Sequence, residues 1–513
     1  VSGYLRRLTT TGAAYTAASI VSKLIAVALL PLYTRYLTRA DYGAAEVMFA
    51  SVVTASIVVR LGTIEALLRF YYKGDEDPAR VVASSFAALF WLATLAALIA
   101  LPFAGPISEA LLTHPAPDLA RIAIGGLWVL TMNEYLLTLF RLEERARAFF
   151  LTTIVNVLLA IALTVVLVVG AGDGARGLLI GSYGSGAVIV AALIVVHRKR
   201  LSLRFESPLL RRLMRFGLPT MPAELSLYGL NFVDRIILSR SAGLAAVGLY
   251  SLAVKFAQAV NVLVRGFQLA WPPLAYSIRD DDEARRAYAA VVTWFVAGCA
   301  FVVTGLWLLS RQIVRVLAAP EFFGAYKAIG LVATGVTLYA LYMVLVVILG
   351  RTGRTEFNFP ATAAALAANV ALNLLLIPPL GIVGAGLALV ASYLVVLALM
   401  YGFTQRLFPV PYEWGRLARL VLVPAALVGL AELLLPTAGL TALVLRAALW
   451  LLFPLALLAT GFFTPGERRW FARLREPGQL ARELRSLRPA AAGVDGVVPE
   501  TYEAELRDED MRL

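Results

Sequence analysis

A chain of 513 residues that is 60% hydrophobic and 15% charged, with a mean hydropathy of +0.79, is too apolar for a water-soluble protein of this size. Its formal charge of +13 raises nucleic acid or anionic lipid as partners. The basic residues lie in short loops between apolar segments, which excludes a nucleic-acid binder and fits a protein embedded in a lipid bilayer.

A helix that crosses the roughly 30 Å hydrocarbon core needs about 20 apolar residues. On that basis about fourteen spans are predicted, at approximately 10–30, 44–68, 81–102, 120–140, 149–170, 177–196, 215–238, 247–270, 287–309, 327–349, 357–377, 384–404, 417–435 and 441–463. The expected fold class is all-α integral membrane. The apolar run after Arg7 is not ended by a small-residue cleavage site, so it reads as the first span and not as a removable leader. The seventh span is the most polar. Beyond it, the segment from 464, containing Glu467, Arg468, Arg469, Trp470 and Phe471, reads as a basic amphipathic stretch on the membrane surface. Val494 to Leu513 is acidic and polar and is predicted to be disordered.

Basic residues set the orientation. Arg6, Arg7, Lys73, Arg80, Arg141, Arg145, Arg147, the dense cluster from Arg198 to Arg215, and Arg279, Arg285, Arg286, Arg351, Arg354, Arg406 and Arg416 fall on one side. Only Arg35, Arg39, Arg176, Arg240, Arg311 and Arg315 fall on the other. Both termini are therefore expected on the cytoplasmic face.

The sequence repeats itself. An offset of about 205 positions lays Thr34-Arg35 on Ser239-Arg240, Ala40 to Gly43 on Ala245 to Gly248, Arg60 on Arg265, and Asp75-Glu76-Asp77 on Asp280-Asp281-Asp282. Gly174 to Tyr183 matches Gly384 to Tyr393 at nearly the same offset. About six spans fit within one offset, so both copies insert with the same orientation. The expected organisation is two parallel six-helix lobes, 1–200 and 201–410, then two extra membrane helices over 411–463 and a cytoplasmic tail over 464–513.

A charge in hydrocarbon costs at least about 2.5 kcal/mol, so each one needs a partner or a wet cavity. The first two spans of each half are the most loaded. Thr16, Ser19 and Lys23 share one face of span 1; Glu46 and Arg60 lie close to one face of span 2, with Ser56 and Thr63. Span 7 carries a stripe of Glu224, Tyr228, Asn231 and Arg235, with Asp234 beside it, and span 8 carries Lys255, Gln258, Asn261, Arg265 and Gln268. The economical packing turns these faces toward a shared, net-cationic cavity between the lobes, suited to an anion such as a diphosphate. Lys23, Arg60, Arg235, Lys255, Arg265, Gln258 and Asn261 are its candidate substrate ligands. Glu46, Glu224 and Asp234 either fix those cations or bind a driving proton or sodium ion. Glu65 and Arg69, four apart near a span end, are expected to form a structural pair or to snorkel to the headgroups. Pro219, Pro222, Pro272 and Pro273 are expected to break or bend their helices.

Other chemistries are missing. No phosphate-binding Gly-x-x-x-x-Gly-Lys-Ser/Thr loop is present, and the glycines from Gly170 to Gly177 join two membrane spans, not a strand and a helix. His114 and His197 have no zinc spacing and read as ordinary surface residues. No cofactor and no metal site is expected. No insertion is large enough for a glycosyltransferase domain or for the external loop of a glycan polymerase or ligase, so transport is expected over catalysis.

Leu30-Pro31-Leu32-Tyr33-Thr34-Arg35-Tyr36-Leu37-Thr38-Arg39-Ala40-Asp41-Tyr42-Gly43, with Arg60-Leu61-Gly62 and Leu68 to Tyr72 after it, resembles the N-terminal signature of bacterial polysaccharide-biosynthesis flippases. These belong to the multidrug/oligosaccharidyl-lipid/polysaccharide exporter superfamily. The likeness is sharpest over 4–80, and Ala246 to Tyr250 extends it into the second half. It implies a flippase of the O-antigen type in the bacterial cytoplasmic membrane, carrying an undecaprenyl-diphosphate-linked oligosaccharide outward through a V-shaped, two-lobed body, alongside glycan-assembly proteins. Related lipid II flippases have a cationic cavity lined by the first two spans of each lobe; this chain has the single Lys23 in span 1 where they usually have more basic residues, which makes the peptidoglycan precursor the lesser expectation. A drug/cation antiporter of the same superfamily is expected to have an acidic or aromatic cavity, without several arginines.

Overall fold

The computed structural model describes residues 29–72 and 76–468. All but the end of the expected first span lies outside these residues, and so do Thr16, Ser19, Lys23 and the tail from 469. Among the described residues every regular element is helical: α1 (Leu30–Tyr36), α2 (Arg39–Arg60), α3 (Thr63–Tyr72), α4 (Pro78–Ala100), α5 (Ala104–Leu112), α6 (Pro117–Leu142), α7 (Ala146–Thr164), α8 (Gly174–His197), α9 (Ser207–Gly217), α10 (Met221–Ala242), α11 (Leu244–Ala257), α12 (Val260–Ser277), α13 (Asp281–Leu317), α14 (Tyr326–Arg351), α15 (Asn358–Leu380), α16 (Ile382–Leu407), α17 (Trp414–Leu434), α18 (Gly439–Leu451) and α19 (Phe453–Ala459).

Ten helical stretches among these residues are long and apolar enough to cross a bilayer, or twelve if two consecutive pairs of helices each count as one span. The predicted count of fourteen is not reached there. Besides the first span, the one missing is 215–238: its helix α10 forms, but Glu224, Asp234 and Arg235 keep it too polar.

Local chemistry starts the helices. The Thr38 hydroxyl accepts from the Asp41 backbone N–H at 3.1 Å and caps α2. The two repeated acidic triplets supply caps as well, Asp77 for α4 and Asp280 for α13. Pro219 stands where α9 gives way to α10, as expected of a residue that breaks or bends the helix, whereas Pro222 breaks none. They sit in a 3-10 turn, Leu218–Thr220, and in the first turn of α10, where a missing N–H is harmless.

Both repeat-related second spans are broken where continuous helices were predicted. The segment 44–68 divides at Leu61 and Gly62, both left-handed with φ of +48° and +69°. The segment 247–270 divides at Gln258 and Ala259, with a bend of 50°. There the backbone tightens into i→i+3 bonds, Ala259 N–H to Phe256 O at 3.1 Å and Asn261 N–H to Gln258 O at 2.9 Å.

The halves meet through α2, which packs against α10 and α11 of the second half as well as α6 and α8 of its own. Near the start of α2 the approach is backbone to backbone. A Cβ on Gly43 would fall 1.9 Å from the Leu244 carbonyl oxygen, and one on Gly248 would fall 2.2 Å from that of Arg39. Gly43 and Gly248 are the pair that the repeat offset superimposes. Beyond the end of α2, a Cβ on Gly62 would fall 2.0 Å from the Gly217 carbonyl oxygen. The halves are thus in contact at both ends of α2.

Helices α17 and α18 pack on α13. Arg446, 1% exposed, joins them by donating to Glu432 Oε1 at 2.8 Å and to the Pro436 carbonyl at 3.1 Å, and Arg311 of α13 reaches Glu432 at 2.8 Å. The chain divides into two compact units, Val1–Phe453 and Pro454–Leu513. In the described part of the second, Thr464 and Glu467 exchange hydrogen bonds of 2.7 and 3.3 Å, a capping box.

Candidate functional site

The charged residues singled out in the sequence gather along α2. At its far end Arg60, whose side chain is 12% exposed, holds two carboxylates: Nη1 lies 2.7 Å from Glu134 Oε2 on α6, and Nη2 donates to Glu224 Oε1 on α10 at 3.0 Å. The first bond stays within one half, and the second crosses to the other. At the near end the polarity reverses. Glu46 of α2, almost buried, lies 3.1 Å from Lys255 Nζ on α11, again across the halves. Arg235 of α10 is also in electrostatic reach of Glu46 and of Tyr42. Its neighbour Asp234 accepts from the Arg235 backbone N–H at 2.7 Å and lies 3.5 Å from its guanidinium, both side chains being buried.

Arg265 differs. It is exposed on α12, with Gln268 Oε1 at 3.5 Å, and no carboxylate pairs with it among the described residues. It borders a cavity of about 280 Å³ lined by Phe267, Trp271 and Tyr339. Phe267 stacks on Trp271 at 5.6 Å and on Phe295 at 4.0 Å, which makes one wall aromatic. Tyr228 of α10 is in electrostatic reach of Glu224, Glu134, Arg60 and Arg265, and so ties this cavity to the Arg60 cluster.

Of the five cations expected in the cavity, Lys23 lies outside the described residues, and the other four stand among acids. Arg60, Arg235, Lys255 and Arg265 are matched in number by Glu46, Glu134, Glu224 and Asp234. The physical reason is desolvation: a charge held away from water is supported by a counter-charge, and three of these four cations have one. The span 8 stripe is also not continuous. Lys255 stands on α11 and Arg265 on α12, while Gln258 sits in the break and Asn261 begins the next turn, each half-buried. Arg69 forms no pair with Glu65 among the described residues; its guanidinium lies 4.3 Å from the centre of the Phe216 ring. His197 is not a surface residue but 4% exposed, with Nδ1 3.9 Å from Glu143 Oε1 and its ring 5.0 Å from that of Phe140.

Three polar residues here were not singled out in the sequence. Glu134 is a lone carboxylate in an apolar run. Asn369 and Asn373, four apart on α15, are fully buried; the Asn373 amide donates to Asn369 Oδ1 at 2.9 Å, on a helix that packs against α10. Their charge or amide inside a predicted span was the available signal. No cluster of three or more His, Cys, Asp or Glu side chains that could hold a metal occurs among the described residues.

A second feature is apolar. Two adjoining cavities of about 460 and 560 Å³ run between α13, α14 and α17 and share Val296, Leu341 and Val421. Aromatic rings of Tyr401, Tyr412 and Trp414 close one end, and Trp307 borders the other.

Fold and site define a many-helix membrane protein in which α2 makes salt bridges to α10 and α11, with Arg265, which has no carboxylate partner among the described residues, on an aromatic cavity and an apolar groove beside it. The chain belongs to the polysaccharide biosynthesis protein family, whose model matches residues 9–279, more than half of the 513. It is similar to the succinoglycan biosynthesis transport protein ExoT of Rhizobium meliloti (strain 1021), 26% identical over 322 residues. That match covers 59% of this chain and 61% of the relative, so the chain spans about three-fifths of that protein's length. In fold it is similar to the lipid II flippase MurJ in an inward closed conformation, with a TM-score of 0.69 and 13% identity over 87% of this chain and 98% of that one. An inward-facing multidrug resistance transporter of the MATE family, in the MOP superfamily, gives 0.60 and 16% over 76% and 95%. The chain thus has the fold of MOP-superfamily transporters.

Proposed function

We propose that this protein is a flippase that moves an undecaprenyl-diphosphate-linked oligosaccharide from the cytoplasmic to the outer leaflet of the bacterial cytoplasmic membrane, for surface polysaccharide synthesis. The observation that carries the reading is Arg265, a cation without a carboxylate among the described residues, beside an aromatic-walled cavity between membrane helices. A guanidinium offers paired donors to phosphate oxygens, and aromatic faces suit the C–H faces of sugars. The groove between α13, α14 and α17 supplies an apolar path for a polyprenyl tail.

Movement follows from the two ends of α2. Contact at both ends fits an occluded state, and alternating access requires one end to part while the other holds. Family membership and the curated transport relative support transport over catalysis. The distribution of basic residues supports a cytoplasmic position for both termini and for the Gly62 end. Glu46, Glu224 and Asp234 are the candidates for binding a driving proton or sodium ion. Glycan-assembly proteins are the expected partners at the membrane.

Deleting the gene is expected to make the native cells accumulate a polyprenyl-diphosphate oligosaccharide, identified by mass spectrometry of extracted lipids, with loss of the corresponding surface glycan. Accumulation of lipid II instead, or unchanged lipid-linked sugars with normal surface glycan, overturns the reading.

A further inference from the structure

Arg60 and Arg265 are matched by the repeat offset, yet their surroundings differ. Arg60 has a carboxylate of its own half, Glu134, and one from across, Glu224. Arg265 has neither among the described residues. In the second half the helix that stands where α6 stands in the first is α14, and across Tyr326–Arg351 it carries no Asp or Glu. The position 205 residues after Glu134 is Tyr339, which lines the Arg265 cavity. Glu224 is paired with Arg60, and Tyr228, one turn along α10 from it, is in electrostatic reach of Glu224 and of both arginines. Glu65 of α3 and Arg141 of α6 are the further charges that reach Glu134, and Glu65 also reaches Glu224.

We infer that Glu224 exchanges between Arg60 and Arg265, and that Glu134 reserves Arg60 as a latch between the halves, leaving Arg265 to take the phosphate of the cargo. The inference rests on the anionic cargo proposed above. A guanidinium has five donors and serves two carboxylates at once. When the halves part at the Gly62 end, Arg60 keeps Glu134 and is never a bare cation in a low dielectric. Glu224 loses its partner and finds Arg265 in its own half. An arriving phosphate competes for Arg265 and returns Glu224 to Arg60, so the halves close on a loaded site. Binding and closure are then one equilibrium, biased by the ligand's preference for the state in which Glu224 is elsewhere. Glu134 acts only through Arg60 and is a positioning residue.

The test uses the full-length protein in detergent, with farnesyl diphosphate as the probe and calorimetry as the readout. Arg265→Gln is expected to weaken binding about tenfold or more, the loss of one charge-assisted contact, and Arg60→Gln to weaken it by a smaller factor, because Glu224 then stays on Arg265 and competes with the phosphate. Adding Glu134→Gln to Arg265→Gln is expected to restore binding, because Arg60 is then released to the phosphate; a merely structural role for Glu134 predicts no rescue. Unchanged binding in Arg265→Gln, or no rescue in a double variant that melts at the wild-type temperature, overturns the inference. Spin labels at Arg147→Cys and Ser277→Cys, in a Cys299→Ser background, report the Gly62 end independently of any ligand. Glu224→Gln is expected to lengthen that distance and Glu134→Gln to leave it closed. Should the wild-type protein fail to bind the probe, the cargo reading falls, and an unchanged label distance in Glu224→Gln overturns the exchange by itself.

Discussion

Gly43 and Gly248 have no room for a methyl group, because the nearest atoms are backbone atoms of the opposing helix and not flexible side-chain ends. Gly43→Ala therefore has to push α2 and α11 apart. Overpacking of this kind costs about 1–3 kcal/mol, enough to shift an open–closed equilibrium about tenfold. The expected result is faster labelling by a thiol reagent of a cysteine placed at Val247, which is wholly buried beside the contact, in a Cys299→Ser background; an unchanged rate means that the contact does not hold that end shut. The match of Gly43 with Gly248 and of Arg60 with Arg265 was legible from the repeat offset, but not that the two glycines touch. Glu134 was not, since a single carboxylate in an apolar run shows that it needs a partner and not which helix supplies it.

At the scale of elements, hydropathy located the helices and missed their breaks. A window of about 20 residues averages over a two-residue interruption such as Leu61–Gly62 or Gln258–Ala259. These breaks decide where Lys255 and Arg265 point. Arg351 shows how such short segments are secured. It donates to the carbonyls of Ala275 at 3.1 Å and Ile278 at 2.8 Å, to the Tyr288 hydroxyl at 3.1 Å and to Asp281 Oδ1 at 2.8 Å, which ties the ends of α12 and α14 to the start of α13. Arg351→Ala is expected to destabilise the detergent-solubilised protein by about 1–3 kcal/mol, the range for leaving such groups unsatisfied. A melting temperature equal to that of the wild type shows instead that water replaces the guanidinium.

Across the whole molecule, a constant offset in the sequence leads to the expectation of parallel halves, whereas the pairing of charges was not legible, because it depends on which helices face each other. The structure resolves that question along α2. One helix carries an acid at one end and a base at the other, each paired with the opposite half. The two ends therefore need not open together: removing one pair leaves the other, with its glycine contact, intact. Glu46→Gln takes away the carboxylate that faces Lys255 and Arg235, so that end loses its attraction and keeps two cations of the second half near each other. Labels at His114→Cys and Glu321→Cys, both exposed and at the Gly43 end, are expected to move apart in Glu46→Gln while the Arg147–Ser277 pair stays closed. Glu224→Gln is expected to do the reverse. If either variant moved both label pairs, the two ends would be one rigid contact, and access could not alternate about α2.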